Sequence, residues 1–128
     1  MAVILIVEDD RFLSSILKTR LEKEGFSVLQ AFDGEEAVNV LKTQKPGLIL
    51  LDLIMPKMSG FEFLETIQVD PELNRIPVMV ASNLGQDSDI EKAKSFGVAN
   101  YYVKAQTSID DLTRMVKDLV AGGAAPQG

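Results

Sequence analysis

The chain has 128 residues, 46% hydrophobic and 25% charged, the length and balance of one globular domain around one core. It has no Cys and no His, which excludes disulfides, thiolate chemistry, imidazole bases and the usual zinc ligands. A formal net charge of −6 disfavours direct nucleic-acid binding, and no apolar stretch is long enough to span a bilayer, so a soluble, cytoplasmic protein without membrane insertion is expected.

Residues 3–7 are an apolar, largely β-branched run that reads as a buried strand, ending in Glu8-Asp9-Asp10. Phe12, Leu13, Ile16, Leu17 and Leu21 then recur at helical spacing over residues 11–24, with Asp10 as the cap and Gly25 as the stop. A second strand spans 27–31. Asp33 opens the next helix, with Glu36 three residues on, and Ala37, Val38, Val40 and Leu41 form its apolar stripe. Pro46-Gly47 stops that helix before the strand 48–51, four apolar residues running straight into Asp52.

Pro56 and Gly60 break the backbone after Asp52, and Ser59 with Glu62 reads as a capping box for a helix bearing Phe61, Leu64 and Ile67. Asp70-Pro71-Glu72 ends it. Residues 78–81 form a fourth strand leading into Ser82-Asn83. Ser88 and Glu91 are expected to cap a helix carrying Ile90, Ala93 and Phe96 and closed by Gly97. Residues 100–103 form a fifth strand ending in Lys104. Ser108 and Asp111 cap a last helix bearing Ile109, Leu112, Met115, Val116 and Leu119, which Gly122-Gly123 ends. Five strand–helix units imply an α/β fold: a doubly wound parallel sheet with helices on both faces. The expected division is a single domain over 1–121 and a disordered tail over 122–128.

In a parallel sheet all strand C-termini share one edge, where ligands of open α/β sheets bind. That edge collects Glu8, Asp9 and Asp10, then Asp52, Ser82 and Lys104 from successive strands. Clustered carboxylates repel one another unless a cation joins them, and oxygen-only ligands suit Mg²⁺. A hydroxyl and an ammonium across the crevice can contact phosphate oxygens, so the set describes a place to hold a phosphoryl group beside Asp52. Carboxylates do form aspartyl-phosphate intermediates. Taken singly, each residue has a plainer reading as a cap, a turn or a surface charge; the joint occurrence at four strand ends carries the inference.

The segments Ile6-Val7-Glu8-Asp9-Asp10, Leu51-Asp52-Leu53-Ile54-Met55-Pro56 with Gly60, Val80-Ala81-Ser82-Asn83 and Tyr101-Tyr102-Val103-Lys104 resemble a response-regulator receiver domain of two-component signalling, from residue 2 to about residue 121. The resemblance implies the flavodoxin-like (βα)5 fold with strand order 2-1-3-4-5, and a signalling switch rather than an enzyme. It implies Asp52 as phospho-acceptor, Mg²⁺ held by Glu8, Asp9, Asp52 and the backbone carbonyl of Ile54, Ser82 as the switch hydroxyl, Lys104 as the site lysine and Tyr101 as the switch aromatic. The implied partners are a sensor histidine kinase or phosphotransfer protein and a downstream protein that reads the face of helix 4, strand 5 and helix 5. Ile54 and Leu84, two residues after the acceptor and two after the switch hydroxyl, flank the approach of a hydrolytic water and are expected to tune the lifetime of the phosphorylated state. One departure concerns Ala105, where receivers usually place proline, so the following loop is expected to differ and to keep a trans peptide. Alternatives are a degenerate receiver that binds proteins without phosphorylation, a flavodoxin-like redox carrier and a haloacid-dehalogenase-type phosphatase. The acids after strand 1 would repel a flavin phosphate, and the phosphatase needs a second acid where Ile54 stands.

Overall fold

A strand covered on both faces must be apolar at every position, and the runs at Val3–Val7 and Leu48–Leu51 meet that condition. In a computed structural model, which describes residues 2–122, the chain runs β1 (Val3–Val7), α1 (Arg11–Lys23), β2 (Ser27–Ala31), α2 (Gly34–Leu41), β3 (Leu48–Leu51), α3 (Gly60–Gln68), β4 (Val78–Ser82), α4 (Asp87–Ser95), β5 (Asn100–Val103), a 3-10 turn (Lys104–Gln106) and α5 (Ile109–Gly122). The five strands are all parallel, in the order β2-β1-β3-β4-β5. Of the expected tail 122–128, Gly122 instead closes α5, and residues 123–128 lie outside the described residues.

The period-two alternation of strand side chains divides the core between two faces. Leu5, Val7, Ile49, Leu51, Val78 and Val80 pack with Ala37, Leu41, Phe63, Leu64 and Ile67 of α2 and α3. Ile4, Ile6, Leu48, Leu50, Met79 and Ala81 pack with Leu17, Leu21, Leu112 and Val116 of α1 and α5. Each such buried Leu, Ile or Phe stabilises the fold by about 1.5–3 kcal/mol relative to exposure. Among the described residues no helix is long and apolar enough to cross a membrane.

Helix starts follow the side-chain caps in most cases. Asp10 accepts from the Leu13 amide at 3.1 Å, Asp33 from that of Glu36 at 2.9 Å and Ser108 from that of Asp111 at 3.0 Å. Ser59 and Glu62 form both halves of a capping box. Gly25 and Gly97 end α1 and α4 at φ +96° and +82°, a region open to glycine.

Three expectations need correction. Ser88 and Glu91 do not cap α4: the helix starts earlier, at Asp87, with Gln86 as N-cap and no side-chain capping bond. There the backbone carbonyl of Gln86 already accepts from Asp89 and Ile90, and Asp87 and Asp89 complement the helix dipole instead. The helix α2 ends at Leu41, several residues before Pro46-Gly47: the Lys42 and Thr43 amides close a tighter last turn on the Asn39 and Val40 carbonyls, and Lys45 Nζ satisfies the freed Leu41 carbonyl at 2.6 Å. On α3 Leu64 and Ile67 face the core as expected, but the fully buried aromatic beside them is Phe63, while Phe61 is only half-buried at the edge of that cluster.

Candidate functional site

The strand ladder itself brings the acids together. The Glu8 amide donates to the Ala31 carbonyl at 3.0 Å and the Asp52 amide to the Val7 carbonyl at 2.9 Å, so both residues extend the sheet by one rung at its C-terminal edge. Glu8 is 3% exposed and Asp52 6%, while Asp9 stands open to solvent. Carboxylate oxygens of Glu8, Asp9 and Asp52 lie within 4.8 Å of one another. Such a set of hard oxygen donors fits a divalent cation of the Mg²⁺ class.

Lys104 bridges the two buried acids. Its Nζ donates to Glu8 Oε1 at 2.5 Å and to Asp52 Oδ2 at 3.2 Å. The other Glu8 oxygen accepts from the Asp10 amide at 3.0 Å, and Asp52 Oδ1 accepts from the Ile54 amide at 3.3 Å. Burial pushes the Glu8 carboxyl above the ordinary glutamate range, although the Lys104 and Asp10 hydrogen bonds pull it down. Burial also opposes the charge on Lys104, but its bonds and proximity to Glu8 and Asp52 outweigh that and hold the ammonium above the usual lysine range. The crevice therefore combines a fixed ammonium with an excess of carboxylate.

Ser82 is fully buried at the end of β4, and its Oγ accepts from the Leu84 amide at 3.3 Å. The Tyr101 hydroxyl donates to the Leu84 carbonyl, so the loop after β4 is tied to β5 through Leu84. Burial, then the charges of Asp89 and Asp52, raise the Tyr101 pKa and keep its hydroxyl a donor. Ile54 is 54% exposed beside Asp52, whereas Leu84 is half-buried and packs partly against the core. Every side chain singled out from the sequence thus lies along one edge of the sheet.

Two features were not anticipated. Asn83 Oδ1 accepts from the Ala105 amide at 3.0 Å, joining the two loops that carry Ser82 and Lys104. No peptide bond among the described residues is cis, in keeping with the expectation for Ala105. The second feature is glycine's role beneath the site: a Cβ on Gly60 would lie 2.6 Å from the Asp52 carbonyl oxygen and 2.5 Å from Leu53 Cα. Only a residue without Cβ lets α3 start this close to the backbone of Asp52 and Leu53.

A family model described as the response regulator receiver domain matches residues 4–117. The chain belongs to the receiver-domain family of two-component response regulators. It is 32% identical to the protein PilH of Pseudomonas aeruginosa over 122 residues, covering 95% of this chain and 100% of PilH. It is 38% identical over 114 residues to the transcriptional regulatory protein YcbL of Bacillus subtilis, covering 88% of this chain and 48% of YcbL. The receiver spans about half the length, or somewhat less, of the first curated relatives it matches. Among solved structures, the receiver domain of a signal transduction histidine kinase from Syntrophus aciditrophicus superposes with a TM-score of 0.87 at 30% identity, covering 100% of this chain and 96% of that one. The Mn²⁺-bound form of response regulator Rcp1 has a TM-score of 0.80, also at 30% identity, with 100% of this chain and 98% of that one covered. Receiver domains are signalling modules that interact with histidine kinases or phosphotransfer proteins and bind Mg²⁺ in the active site.

Proposed function

We propose that this receiver is a phosphorylation-controlled switch with Asp52 as its acceptor. A carboxylate oxygen of Asp52 attacks the phosphorus of a phosphohistidine on a kinase or phosphotransfer protein. The P–O bond forms as the donor's P–N bond breaks, and the histidine leaves with the electron pair. The observation that carries this reading is the placement of Asp52: buried at a strand end, beside two further acids and hydrogen-bonded to Lys104. The Lys104 ammonium can pass from the carboxylates to the incoming phosphoryl oxygens, neutralising charge as it develops. Glu8, Asp9, Asp52 and the Ile54 carbonyl would hold Mg²⁺, which supplies charge neutralisation and orientation when bound. A metal-bound form of Rcp1 is consistent with that assignment.

The phosphoryl group also offers a new acceptor to Ser82, whose hydroxyl sits next to the loop that Tyr101 holds. Drawing Ser82 inward shifts Leu84 and Tyr101 together, and the face built from α4, β5 and α5 changes its affinity for a downstream protein.

The test is labelling with acetyl phosphate followed by intact-mass spectrometry. Wild type should gain one phosphoryl group only when Mg²⁺ is present, and Asp52→Asn should gain none. Undiminished labelling of that variant would overturn the assignment.

A further inference from the structure

The backbone on both sides of Lys104 is fastened, and the second fastening comes from a side chain of another loop. Before it, Val103 is registered against Ser82 in the last pair of the β4–β5 ladder. After it, the Ala105 amide would be an orphan donor at the start of the 3-10 turn, where Val103 provides no side-chain cap. Asn83 Oδ1 takes that amide at 3.0 Å, a side-chain contact just beyond the last ladder pair. Asn83 is itself held between Ser82, which is fully buried, and Leu84, which is bonded to Ser82 Oγ and the Tyr101 hydroxyl. The switch hydroxyl and the site lysine therefore belong to one hydrogen-bonded unit.

We propose that Asn83 is a positioning residue that fixes Lys104 against Glu8 and Asp52 by accepting the Ala105 amide. The proposal rests on the reading of Asp52 as acceptor. It also accounts for Ala105. A proline there would have no N–H to give to Asn83 and would disfavour helical backbone at Lys104, the residue that opens the 3-10 turn. Alanine supplies the donor and leaves Lys104 free to enter the turn. The contact lies at the exposed rim of the site, so its effect should be that of a single net hydrogen bond.

The experiment is a double-mutant cycle on Asn83→Ala and Ala105→Pro, reading the Mg²⁺-dependent rate of labelling by acetyl phosphate, the melting temperature and the NMR signals of the Lys104 side chain. Each single variant should label about three- to tenfold more slowly, the worth of one hydrogen bond. The double variant should be no slower than the slower single one. Asn83→Asp, which keeps an oxygen acceptor, should restore most of the rate, and Asn83→Ala should shift the Lys104 signals without a comparable loss of melting temperature. Multiplicative effects in the double variant, or an Asn83→Ala protein with wild-type rate and unshifted Lys104 signals, would overturn the proposal. A wild type that takes no label would instead refute the acceptor reading, and the Lys104 signals would still decide the role of Asn83.

Discussion

Lys104 and Glu8 form a pair in which each partner's ionisation depends on the other, and pH dependence exposes it. The Glu8 pKa is raised in the folded state, so above pH 4.5 the unfolded chain ionises first and stability falls until the raised folded value is passed. The Lys104 pKa is also raised, so the stabilisation from its charge is complete below pH 10.5 and is lost as pH climbs through the folded value. Lys104→Met removes the bond that lowers the Glu8 pKa. Urea denaturation in metal-free buffer should therefore show a larger loss of stability from pH 4 to pH 8 in the variant than in wild type. Parallel curves would mean that Lys104 is not the counter-ion of Glu8. A second prediction concerns Ile54 and Leu84, both apolar and unable to orient the water that hydrolyses an aspartyl phosphate. Ile54→Asn combined with Leu84→Glu should shorten the half-life of phosphorylated Asp52, by about tenfold if 1.4 kcal/mol of barrier is lost. Ile54 is the more exposed of the two and should carry more of the effect on its own. A half-life equal to or longer than wild type would remove the role assigned to both.

Elements transmit these local contacts because their ends are pinned to one another. The start of α2 is pinned to the loop after β3. A Cβ on Gly34 would meet Met58 at 2.8 Å, and the buried Asp33 pairs with Lys57 at 3.8 Å, the latter at φ +66°. Asp33 also caps α2, so one carboxylate serves the helix and the loop that leads from Asp52. Asp33→Ala should destabilise the domain by about 1 kcal/mol through the lost cap, measured as a lower urea midpoint with unchanged slope. Asp33→Asn, which still caps, should recover most of that. If the two variants were equally unstable, the charge rather than the cap would dominate. The helices α1 and α5 are joined in a similar way, through Arg20 to Asp110 and Lys117 to Glu24 at 2.7 Å, but these exposed pairs contribute little.

At the scale of the molecule, the net charge is −6, and three carboxylates converge at the sheet edge with only Lys104 between them. A cation that binds the folded chain and not the unfolded one stabilises it by mass action, by about 2.7 kcal/mol at a hundredfold excess over Kd. Adding Mg²⁺ should therefore raise the melting temperature of wild type. Asp9→Asn should abolish that rise while leaving metal-free stability equal or higher, since Asp9 is exposed and its charge repels its neighbours. A melting temperature indifferent to Mg²⁺ in wild type would contradict the cation site.

The (βα)5 order and most of the site residues were legible in the sequence because they depend on short-range patterns. Apolar runs buried on both faces, helical spacing, caps at Asp10, Asp33, Ser59 and Ser108, and a polar residue closing each central strand are all local signals. Parallel strands then place those closing residues on one edge by geometry alone. The start of α4 was not legible, because Ser88 and Glu91 carry the capping pattern while the loop that delivers the chain is held by Tyr101. Which hydrogen bonds form across that edge was decided only in three dimensions. Lys104 meets Glu8 from 96 residues away and Asp52 from 52, and Ala105 meets Asn83 across 22. No local period encodes such partners; they follow from strand register, which only the packed sheet fixes.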